Sequence, residues 1–530
     1  MNCRQSLLIL LALVTLLSSC KADPKAPGVT GGNTNPASRE LAVAMREPGS
    51  IDPAFLDGSN DFQVAVNIYE GLYRPNPVHG RAEPALATLH ETDDEHLVWQ
   101  FRIKPSARYA NGEPIKAADF LTAWQRILSP ATASPGADAL FILRHGRSLA
   151  AGEETRLAVT VIGEDLLRVE LESPQPYLPE ILASPRFAPL PTKTIPQSTG
   201  DLFVQGLDLA SGPYHVVEWK ARESMTLEPN PHYEFLDGQT PFPRITLRFS
   251  DSEETALTWW DAGRVDFVQG LVPFQKLLYL RGKYPGAVVS QPMHSVFYLF
   301  FNGQAAALAD LEVRRALFGA IDREGLVDNI LGGGQLPARA FLPPTYATAT
   351  GFDAEPCKAL SPTAARQRID AARDALVGTE MICNASETLR TIMEYVQQGF
   401  SRQLDLFLAI RMLEWGSFLA SLKQGDFQIA RMSLSGGPDP LDFFENFTRA
   451  SSNNFGHFAN DEYDQLVRAI RTTGDPEERA TIMQKAHDLL CQELPAIPVY
   501  FSTQVYLVRE HLREKFHPTA EGYVIYRSLR

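Results

Sequence analysis

The chain has 530 residues, of which 44% are hydrophobic and 10% aromatic, and a formal net charge of −14. A chain of this length exceeds what one hydrophobic core usually serves, so we expect two or more globular domains. The acidic balance argues against a nucleic-acid partner, because a nucleic-acid-binding surface must be locally basic.

The first nineteen residues have the layout of an export signal. Arg4 precedes a largely apolar run of eleven residues, Leu7–Leu17, which is followed by two small serines. A transmembrane helix needs about 20 apolar residues, so this run predicts a cleaved signal peptide at residues 1–19. No other window approaches 18 consecutive apolar residues, and we expect no other membrane span.

Cys20 lies directly after this predicted signal. The sequence Leu17-Ser18-Ser19-Cys20 resembles the bacterial lipobox, in which the cysteine becomes the lipidated first residue of the mature protein. An ordinary signal peptide with an incidental cysteine is the alternative. Residues 20–39, rich in Gly, Pro, Asn and Ser after the cysteine, are interpreted as a flexible tether. Because Lys21 follows the cysteine, anchoring at either the inner or the outer membrane remains open.

Strand and helix patterns alternate along the rest of the chain, which predicts an α/β protein. The predicted strands are 96–103, 214–219, 245–250, 295–301, 427–434, 496–508 and 522–529. The predicted helices are 115–128, 255–263, 311–331 with a break at Gly325, 461–473 and 476–494. We find no internal repeat.

No catalytic or metal-binding signature is present in the sequence. The chain contains no phosphate-binding loop, no His-Glu-x-x-His motif, no Gly-x-Ser-x-Gly elbow and no Cys-x-x-Cys pair. Its histidines are scattered as single residues, so His294 and His457 are interpreted as structural. The absence of these signatures weakens an enzyme interpretation without excluding it, and we expect no cofactor and no bound metal.

Three cysteines remain if Cys3 is removed with the signal and Cys20 is lipidated. Cys357 and Cys383 are able to pair in an oxidising compartment, which would leave Cys491 over. Separate buried thiols are the alternative, and the sequence favours neither.

Sequence blocks from about residue 40 to the C-terminus resemble, in their order, the extracytoplasmic peptide- and nickel-binding proteins of ABC importers, most closely the oligopeptide binders. The block "ARYANGEPIKAADFLTAWQR" is the best marker, although Tyr109 stands where Trp or Phe is usual. Further blocks are "SIDPAFLDGSNDFQVAVNIYEGLY", "EPALAT", "SGPYHVVEW", "EPNPHYEFLDG", "DAGRVDF", "FYLFFNG", "EVRRALFGAIDRE" and "AIPVYF".

The resemblance implies an α/β fold like that of type II periplasmic binding proteins, with two lobes joined by a hinge and an extra inserted domain. Domain I is expected at 40–57, 190–294 and 500–530, the inserted domain II at 58–189, and domain III at 295–499. The expected partners are a peptide ligand and the permease and ATPase subunits of an ABC importer, with the protein a monomer on the periplasmic side of the envelope.

The resemblance also implies a ligand site in the cleft. Extended peptides bind such proteins by main-chain pairing, with side chains in roomy hydrated pockets. The positions carried over from the family are Asp57, Gly58, Ser59, Trp415, Arg431, Ser433, Leu434, Ser435, Gly436 and Gly437. Core packing is the alternative role for Trp415, and a structural ion pair is the alternative for Arg431.

One departure from the family lies where the peptide ammonium is usually anchored. The family's aspartate falls on Gly437, or on Gly436 in a second alignment, and neither residue carries a charge. Asp439 is the candidate replacement, along with Asp57 as a second cation partner, although Asp439 also suits an ordinary turn. Ser295 and Ser435 stand where some family members have a disulfide.

A peptide with a free N-terminus is therefore the leading ligand. A blocked or cyclic peptide, a murein fragment or an opine-like conjugate remains open, because these ligands need no ammonium anchor. A sensor or adhesion lipoprotein on the same fold is the alternative of a different class.

Overall fold

The computed structural model describes residues 40–77, 81–154, 156–193, 201–202, 209–235, 242–350, 352 and 354–529. The predicted signal peptide, Cys20 and the tether lie outside these residues. Among the helices that the structure describes, none is both long and apolar enough to cross a bilayer.

Seventeen strands are formed by the described residues. They are β1 (Leu41–Met45), β2 (Tyr73–Asn76), β3 (Arg81–Pro84), β4 (Ala87–Thr92), β5 (Val98–Ile103), β6 (Val159–Ile162), β7 (Leu166–Glu170), β8 (Tyr214–Lys220), β9 (Ser224–Pro229), β10 (Ile245–Phe249), β11 (Phe267–Gln269), β12 (Val288–Phe301), β13 (Leu336–Pro337), β14 (Glu380–Asn384), β15 (Ala409–Leu413), β16 (Ile429–Ser435) and β17 (Ala496–Val508).

Fifteen α-helices are formed by the same residues. They are α1 (Ser59–Ile68), α2 (Ala117–Leu128), α3 (Gly146–Ala150), α4 (Leu178–Leu182), α5 (Glu253–Asp261), α6 (Leu277–Lys283), α7 (Leu311–Gly319), α8 (Arg323–Gly325), α9 (Thr345–Thr350), α10 (Pro362–Ala372), α11 (Glu387–Leu404), α12 (Trp415–Gln424), α13 (Leu441–Glu445), α14 (Asp461–Thr472) and α15 (Pro476–Glu493).

The largest sheet runs through both halves of the molecule. Its strand order is β15-β14-β16-β12-β17-β11-β1-β10-β9-β8, with β13 paired to β17 off this path. A separate four-stranded sheet, β4-β5-β7-β6, lies within the segment predicted to be the inserted domain. Strands and helices alternate, as the sequence pattern predicts. The exact domain boundaries remain a prediction.

Two long antiparallel strands, β12 and β17, connect the halves of this sheet. Their pairing shifts register between Pro292 and Val296. On one side of the shift, Leu507 packs in a cluster with Trp260. On the other side, Val296 packs in a large cluster with the helices of residues 311–494. The register shift therefore lies between the two hydrophobic clusters, on strands that take part in both.

Helix α2 illustrates why the family block around it forms a stable element. Phe120, Trp124 and Ile127 recur at helical spacing and are fully or almost fully buried. The Asp119 carboxylate accepts a hydrogen bond from the Lys116 main-chain N–H at 2.9 Å and completes the helix start. Burying this apolar face supplies most of the stabilisation of such a helix.

The predicted helix 311–331 breaks earlier than Gly325. Helix α7 ends at Gly319, and the Asp322 side chain then accepts a hydrogen bond from the Gly325 N–H at 2.9 Å. A capping aspartate starts a new helical segment, which continues as a π-helix over Leu326–Leu331.

The predicted C-terminal strand at 522–529 is wrong. Its main chain pairs with side-chain amides of α1 instead of with a neighbouring strand. Gln63 Oε1 accepts from the Val524 N–H at 2.8 Å, and Asn67 Oδ1 accepts from the Tyr526 N–H at 2.7 Å. The segment ends in a 3₁₀ turn at Tyr526–Leu529.

Neither expectation for the cysteines holds. Cys357 forms a disulfide with Cys491, and Cys383 is a buried free thiol in β14. The disulfide ties the loop before α10 to helix α15, which are 134 residues apart.

Candidate functional site

A cleft of about 680 Å³ separates residues 138–187 from residues 434–453. This volume lies in the range of pockets that hold small ligands. Among the described residues, the lining includes no Lys, Arg or His, and it includes four carboxylates: Asp138, Asp439, Asp442 and Glu445. The cleft therefore presents negative charge and hydrogen-bond acceptors to a ligand.

One wall of the cleft carries an unpaired edge of strand β16. On the side facing β14, the strand pairing of β16 with described residues ends at Ala430. On the other side, pairing with β12 continues to Ser435. The Gly436 N–H donates to the His294 carbonyl of β12. In an antiparallel pair every second residue bonds to the partner strand, so the main-chain groups of Ser433 and Ser435 point away from β12. This edge can accept the main chain of an extended ligand.

A glycine loop ends this edge. A Cβ on Gly436 would lie 2.5 Å from the Tyr346 hydroxyl and against the Phe443 ring, so a side chain there cannot be accommodated without movement. The Tyr346 hydroxyl donates to the Gly437 carbonyl at 2.7 Å, and the Gly437 N–H donates to Asp442 Oδ2 at 3.0 Å. The loop is therefore fixed from both sides.

Asp439 follows this loop, but its carboxylate already has a cationic partner. Its two oxygens accept from Arg479 Nη1 at 3.0 Å and Nη2 at 2.8 Å. Asp439 is 3% exposed and Arg479 is fully buried. This bidentate pair gives Asp439 a structural role, and its contact with a ligand ammonium stays a prediction.

Asp442 is a cleft carboxylate that the sequence reasoning missed. It lies at the start of α13, is exposed, and forms no ion pair with any residue that the structure describes. A Cβ on Gly437 would lie 2.8 Å from Asp442 Oδ2, so this carboxylate borders the space of a side chain at position 437. Surrounding protein, followed by the charge of Asp439, raises the pKa of Asp442 to about 7. Burial and the neighbouring carboxylate thus disfavour its charged form.

Two further residues with acceptor groups, Asp138 and Gln175, line the same cleft, and the sequence reasoning missed them as well. Asp138 is exposed and has no ion pair within the described part of the chain. Gln175 is only 7% exposed, and its Oε1 lacks a hydrogen-bond partner in the same part. A buried unpaired acceptor of this kind is costly to the folded state. No sequence motif marks either residue.

Arg431 and Trp415 are not among the residues that line the cleft. Arg431 donates through Nη2 to Asn384, its guanidinium lies 5.8 Å from the centroid of the Phe297 ring, and its buried Nε has no partner among the described residues. Burial lowers the pKa of Arg431. Trp415 is 49% exposed at the start of α12 and packs against Phe418 on one side. Their contact with a ligand stays a prediction.

The N-terminal candidates Asp57, Gly58 and Ser59 are exposed but are not part of the cleft lining described above. The main-chain N–H groups of Asp57 and Gly58 donate to Asp61 Oδ2 at 3.1 and 3.2 Å. Asp61 thereby caps α1 and occupies two donors that we expected to meet the ligand.

Ser295 and Ser435 are directly opposite each other on β12 and β16, and their hydroxyls lie 3.1 Å apart. Leu434 also lines the cleft. The two serines therefore join β12 and β16 by a hydrogen bond at the base of the glycine loop.

One group of potential metal ligands occurs among the described residues: Cys357, His487 and Cys491. The two sulfurs are joined to each other, and the His487 Nε2 accepts a hydrogen bond from the Phe341 N–H at 3.2 Å. The group is thus committed to protein contacts, and it does not lie in the cleft.

Comparisons with known proteins agree with this architecture. The chain is 27% identical to the oligopeptide-binding protein OppA of Bacillus subtilis, with 99% of both chains covered. It is 28% identical to the periplasmic murein peptide-binding protein MppA of Escherichia coli, with 92% of both covered. The structure of MppA in its unliganded open form superposes with a TM-score of 0.82 at 27% identity, over 93% of this chain and 97% of that one.

The family match covers most of the chain. The model described as bacterial extracellular solute-binding proteins, family 5 Middle, matches residues 81–455. The fold is that of the type II periplasmic binding proteins, and the family consists of binding proteins rather than enzymes. The chain therefore belongs to the family 5 bacterial extracellular solute-binding proteins.

Proposed function

We propose that this protein captures peptides in its cleft and delivers them to the permease and ATPase subunits of an ABC importer. The observation that carries the proposal is the unpaired edge of β16, where Ser433 and Ser435 direct main-chain groups away from β12. Main-chain pairing is blind to side-chain identity, so such an edge suits ligands of varied sequence. Bridging waters in a wide cleft would adapt to different side chains.

The names of the relatives support the same class of ligand. They include oligopeptide-binding, dipeptide-binding and murein peptide-binding proteins. One relative at 27% identity is named as a probable deoxycholate-binding protein, so similarity alone does not select peptides. The strand edge supports a peptide, because a sterol acid has no main chain to pair with it.

A murein peptide is the second candidate. Its support is the TM-score of 0.82 to the murein tripeptide-binding protein MppA, together with 28% sequence identity to that protein of Escherichia coli. A murein peptide has a shorter stretch of ordinary main chain and additional charged groups. The two candidates therefore differ in the mass of the bound species.

Native mass spectrometry of the protein purified from its own cells tests both candidates. A ladder of peptide masses released on mild denaturation is the expected result. A single mass that matches a murein fragment would select the second candidate. A single non-peptide species would contradict the proposal and favour a solute importer or a sensor.

We also propose that a lipid on Cys20 holds the protein on the periplasmic side of the envelope. The sequence before Cys20 supports this, and acyl chains contribute about 0.8 kcal/mol per buried methylene. We expect Cys20→Ser to abolish lipid labelling and to release the protein from the membrane fraction. Unchanged membrane association would exclude the lipid anchor.

A further inference from the structure

Helix α15 contacts the end of the glycine loop near its own start and carries the disulfide near its own end. Arg479, in the first turns of the helix, forms the bidentate pair with Asp439, which follows the glycine loop. Cys491, two residues before the helix ends, is bonded to Cys357. The chain that leads to Cys357 carries α9, and residues 338–350 are called the α9 segment below. One helix therefore holds both the glycine loop and the α9 segment.

Tyr346 carries the contact of the α9 segment with the glycine loop. It is fully buried, and its hydroxyl donates to the Gly437 carbonyl at 2.7 Å. The same hydroxyl occupies the space that a Cβ on Gly436 would need. The Tyr346 ring stacks on the His294 imidazole, with centroids 4.0 Å apart, and meets the Phe443 ring edge-on at 5.6 Å. Displacement of Tyr346 would therefore release the Gly437 carbonyl and leave room for the glycine loop to move.

The α9 segment is held by few main-chain hydrogen bonds. Among the described residues between β13 and β14, none belongs to a strand. The Phe341 N–H donates to His487 Nε2 of α15 at 3.2 Å. The Cys357 N–H donates to the Arg339 carbonyl at 2.7 Å, so the start of the segment meets the chain beside the disulfide. A segment without sheet pairing opens more readily than core strands do, so a cross-link matters more here than it would inside the sheet.

We propose that Tyr346 is a positioning residue for the ligand and that the disulfide between Cys357 and Cys491 keeps it in place, so that the redox state of this pair sets ligand affinity. The inference rests on the proposed peptide-binding function and adds its regulation. Neither sulfur belongs to a residue that lines the cleft. An effect of reduction on binding must therefore pass through the α9 segment or α15.

The redox step is a thiol–disulfide exchange with a dithiol reductant. The S–S bond between Cys357 and Cys491 breaks, and the two sulfurs of the reductant join in a new disulfide. Two electrons pass to the protein sulfurs, and the two protons of the reductant complete the thiols of Cys357 and Cys491. The products are a protein dithiol and an oxidised reductant.

Loss of the cross-link weakens binding because the ligand edge is then no longer fixed. A ligand main chain pairs well with the β16 edge only when the loop at the end of that edge keeps one shape, and ordering a mobile loop reduces affinity. Whenever the α9 segment opens, Tyr346 leaves the Gly437 carbonyl and the protein is not competent to bind. Apparent affinity falls in proportion to the competent fraction. The site is thus complete only where disulfides persist, in an oxidising compartment.

The test compares the oxidised protein with the protein treated with dithiothreitol. Equilibrium dialysis against a pool of random tripeptides to hexapeptides, with the bound peptides counted by mass spectrometry, gives the apparent affinity of each form. The full protein carries Cys383→Ala, which removes the free thiol of the described residues, and thiol labelling verifies that Cys357 and Cys491 are reduced. Reduction should weaken binding by at least about tenfold, and reoxidation should restore it.

The outcomes of this comparison separate the inference from the proposed function. Equal binding by the oxidised and the reduced protein would overturn the inference and keep the proposed function. Binding of the pool by neither form would refute the proposed function. The double variant Cys357→Ser with Cys491→Ser should bind as the reduced protein does, with or without dithiothreitol. Binding by this variant as tight as that of the oxidised protein would also overturn the inference.

Tyr346→Phe shows whether the effect passes through Tyr346. The variant keeps the ring and the disulfide but loses the donor to the Gly437 carbonyl. In its oxidised form it should bind about fivefold to tenfold more weakly than the parent protein. Reduction should then weaken binding further by less than about twofold, because the two changes remove the same contact. A full tenfold effect of reduction in Tyr346→Phe would overturn the role of Tyr346.

Tyr463→Phe is the matched control for this variant. Tyr463 is also fully buried, its hydroxyl donates to the Phe444 carbonyl at 2.8 Å, and it is not among the residues that line the cleft. Tyr463→Phe should keep the affinity of the oxidised parent and the full tenfold effect of reduction. A loss of redox dependence in this control equal to that in Tyr346→Phe would overturn the assignment to Tyr346.

Hydrogen exchange separates a local effect from unfolding. Reduction should speed amide exchange in residues 339–350 and 434–437 by at least about tenfold, whereas strands β1 and β10 should exchange at their former rates. The circular dichroism spectrum should stay that of the oxidised protein. Faster exchange throughout the chain, with loss of this spectrum, would show that reduction unfolds the protein and would overturn the inference.

Discussion

Two aspartates on one loop show how neighbours decide what a residue does. Asp439 is buried against Arg479, and a buried charge of this kind is tolerated only because the partner is in place. Asp442, three positions later, has no such partner among the described residues and faces the cleft. The two carboxylates share a loop, but one stabilises the fold and the other is available to a ligand.

Asp439→Asn should therefore act first on stability. Loss of the charge leaves Arg479 buried without a carboxylate, and breaking a buried pair in this way costs about 3–5 kcal/mol. Urea unfolding followed by circular dichroism measures the change. Glu445→Gln is the matched control, because its pair with Arg471 is partly exposed and should contribute less than about 1 kcal/mol. Equal effects of the two variants would contradict this assignment.

His487 should make stability depend on pH. It is fully buried, and burial lowers its pKa to about 4, below the value of about 6.5 of an unfolded histidine. The unfolded chain therefore binds a proton that the folded chain does not, and stability is lost as pH falls from about 6.5 towards 4. From pH 7 to pH 5 this residue should cost about 2 kcal/mol.

His487→Gln tests this prediction, since glutamine keeps an acceptor for the Phe341 N–H. The free energy of unfolding is measured in urea at pH 7 and at pH 5 for both proteins. The variant should lose about 2 kcal/mol less than the wild type over this interval. Parallel losses in the two proteins would mean that other groups cause the acid sensitivity.

At the level of elements, local pattern predicts well and long-range side-chain contacts do not. Strand β17 occupies 496–508 as predicted, and α14 occupies nearly the predicted 461–473, because each carries a strong periodic pattern. The 522–529 segment has strand composition, but Gln63 and Asn67 of α1 take its main-chain hydrogen bonds. No local signal reveals a partner more than 450 residues away.

The same limit applies to the site. The family resemblance predicts the β16 edge and its glycines as part of the site. It does not predict the ion pair of Asp439 with Arg479, which lies 40 positions later. Asp138 and Gln175 come from a part of the chain far from Asp439 and carry no motif. Only the folded structure shows that they line the same cleft.

The disulfide between Cys357 and Cys491 joins two distant elements, and its presence in the purified protein can be tested directly. Peptide mapping without reduction should recover this pair and a single free thiol at Cys383. The double variant Cys357→Ser with Cys491→Ser should lose about 2–4 kcal/mol of stability, since the link closes a long loop in the unfolded chain. Cys383→Ala should cost only about 1 kcal/mol. Recovery of a Cys357–Cys383 peptide would contradict the structure.

On the scale of the whole molecule, the structure is more similar to an open form of one relative than to a second structure of that relative. It superposes on the unliganded open form of MppA with a TM-score of 0.82 and on another MppA structure with 0.71. The cleft walls belong to lobes that are joined through β12 and β17. Rotation about the register shift at Pro292–Val296 would close the cleft while each hydrophobic cluster stays intact.

Spin labels on the two lobes should report this closure. Ile162 on β6 and Val377 in the other lobe are 46% and 80% exposed, so cysteines there can be labelled without disturbing a core. Because the native Cys383 is buried and Cys357 is disulfide-bonded, labels would go to the introduced sites in protein expressed from residue 21. Electron–electron double resonance should show the interlobe distance changing when a pool of random tripeptides to hexapeptides is added. The control pair Ile162→Cys with Val217→Cys should keep its distance. If the control pair moves as much as the interlobe pair, the motion is internal to one lobe, and β12 and β17 are not the hinge. If neither pair moves when ligand is bound, the cleft captures its peptide without closing.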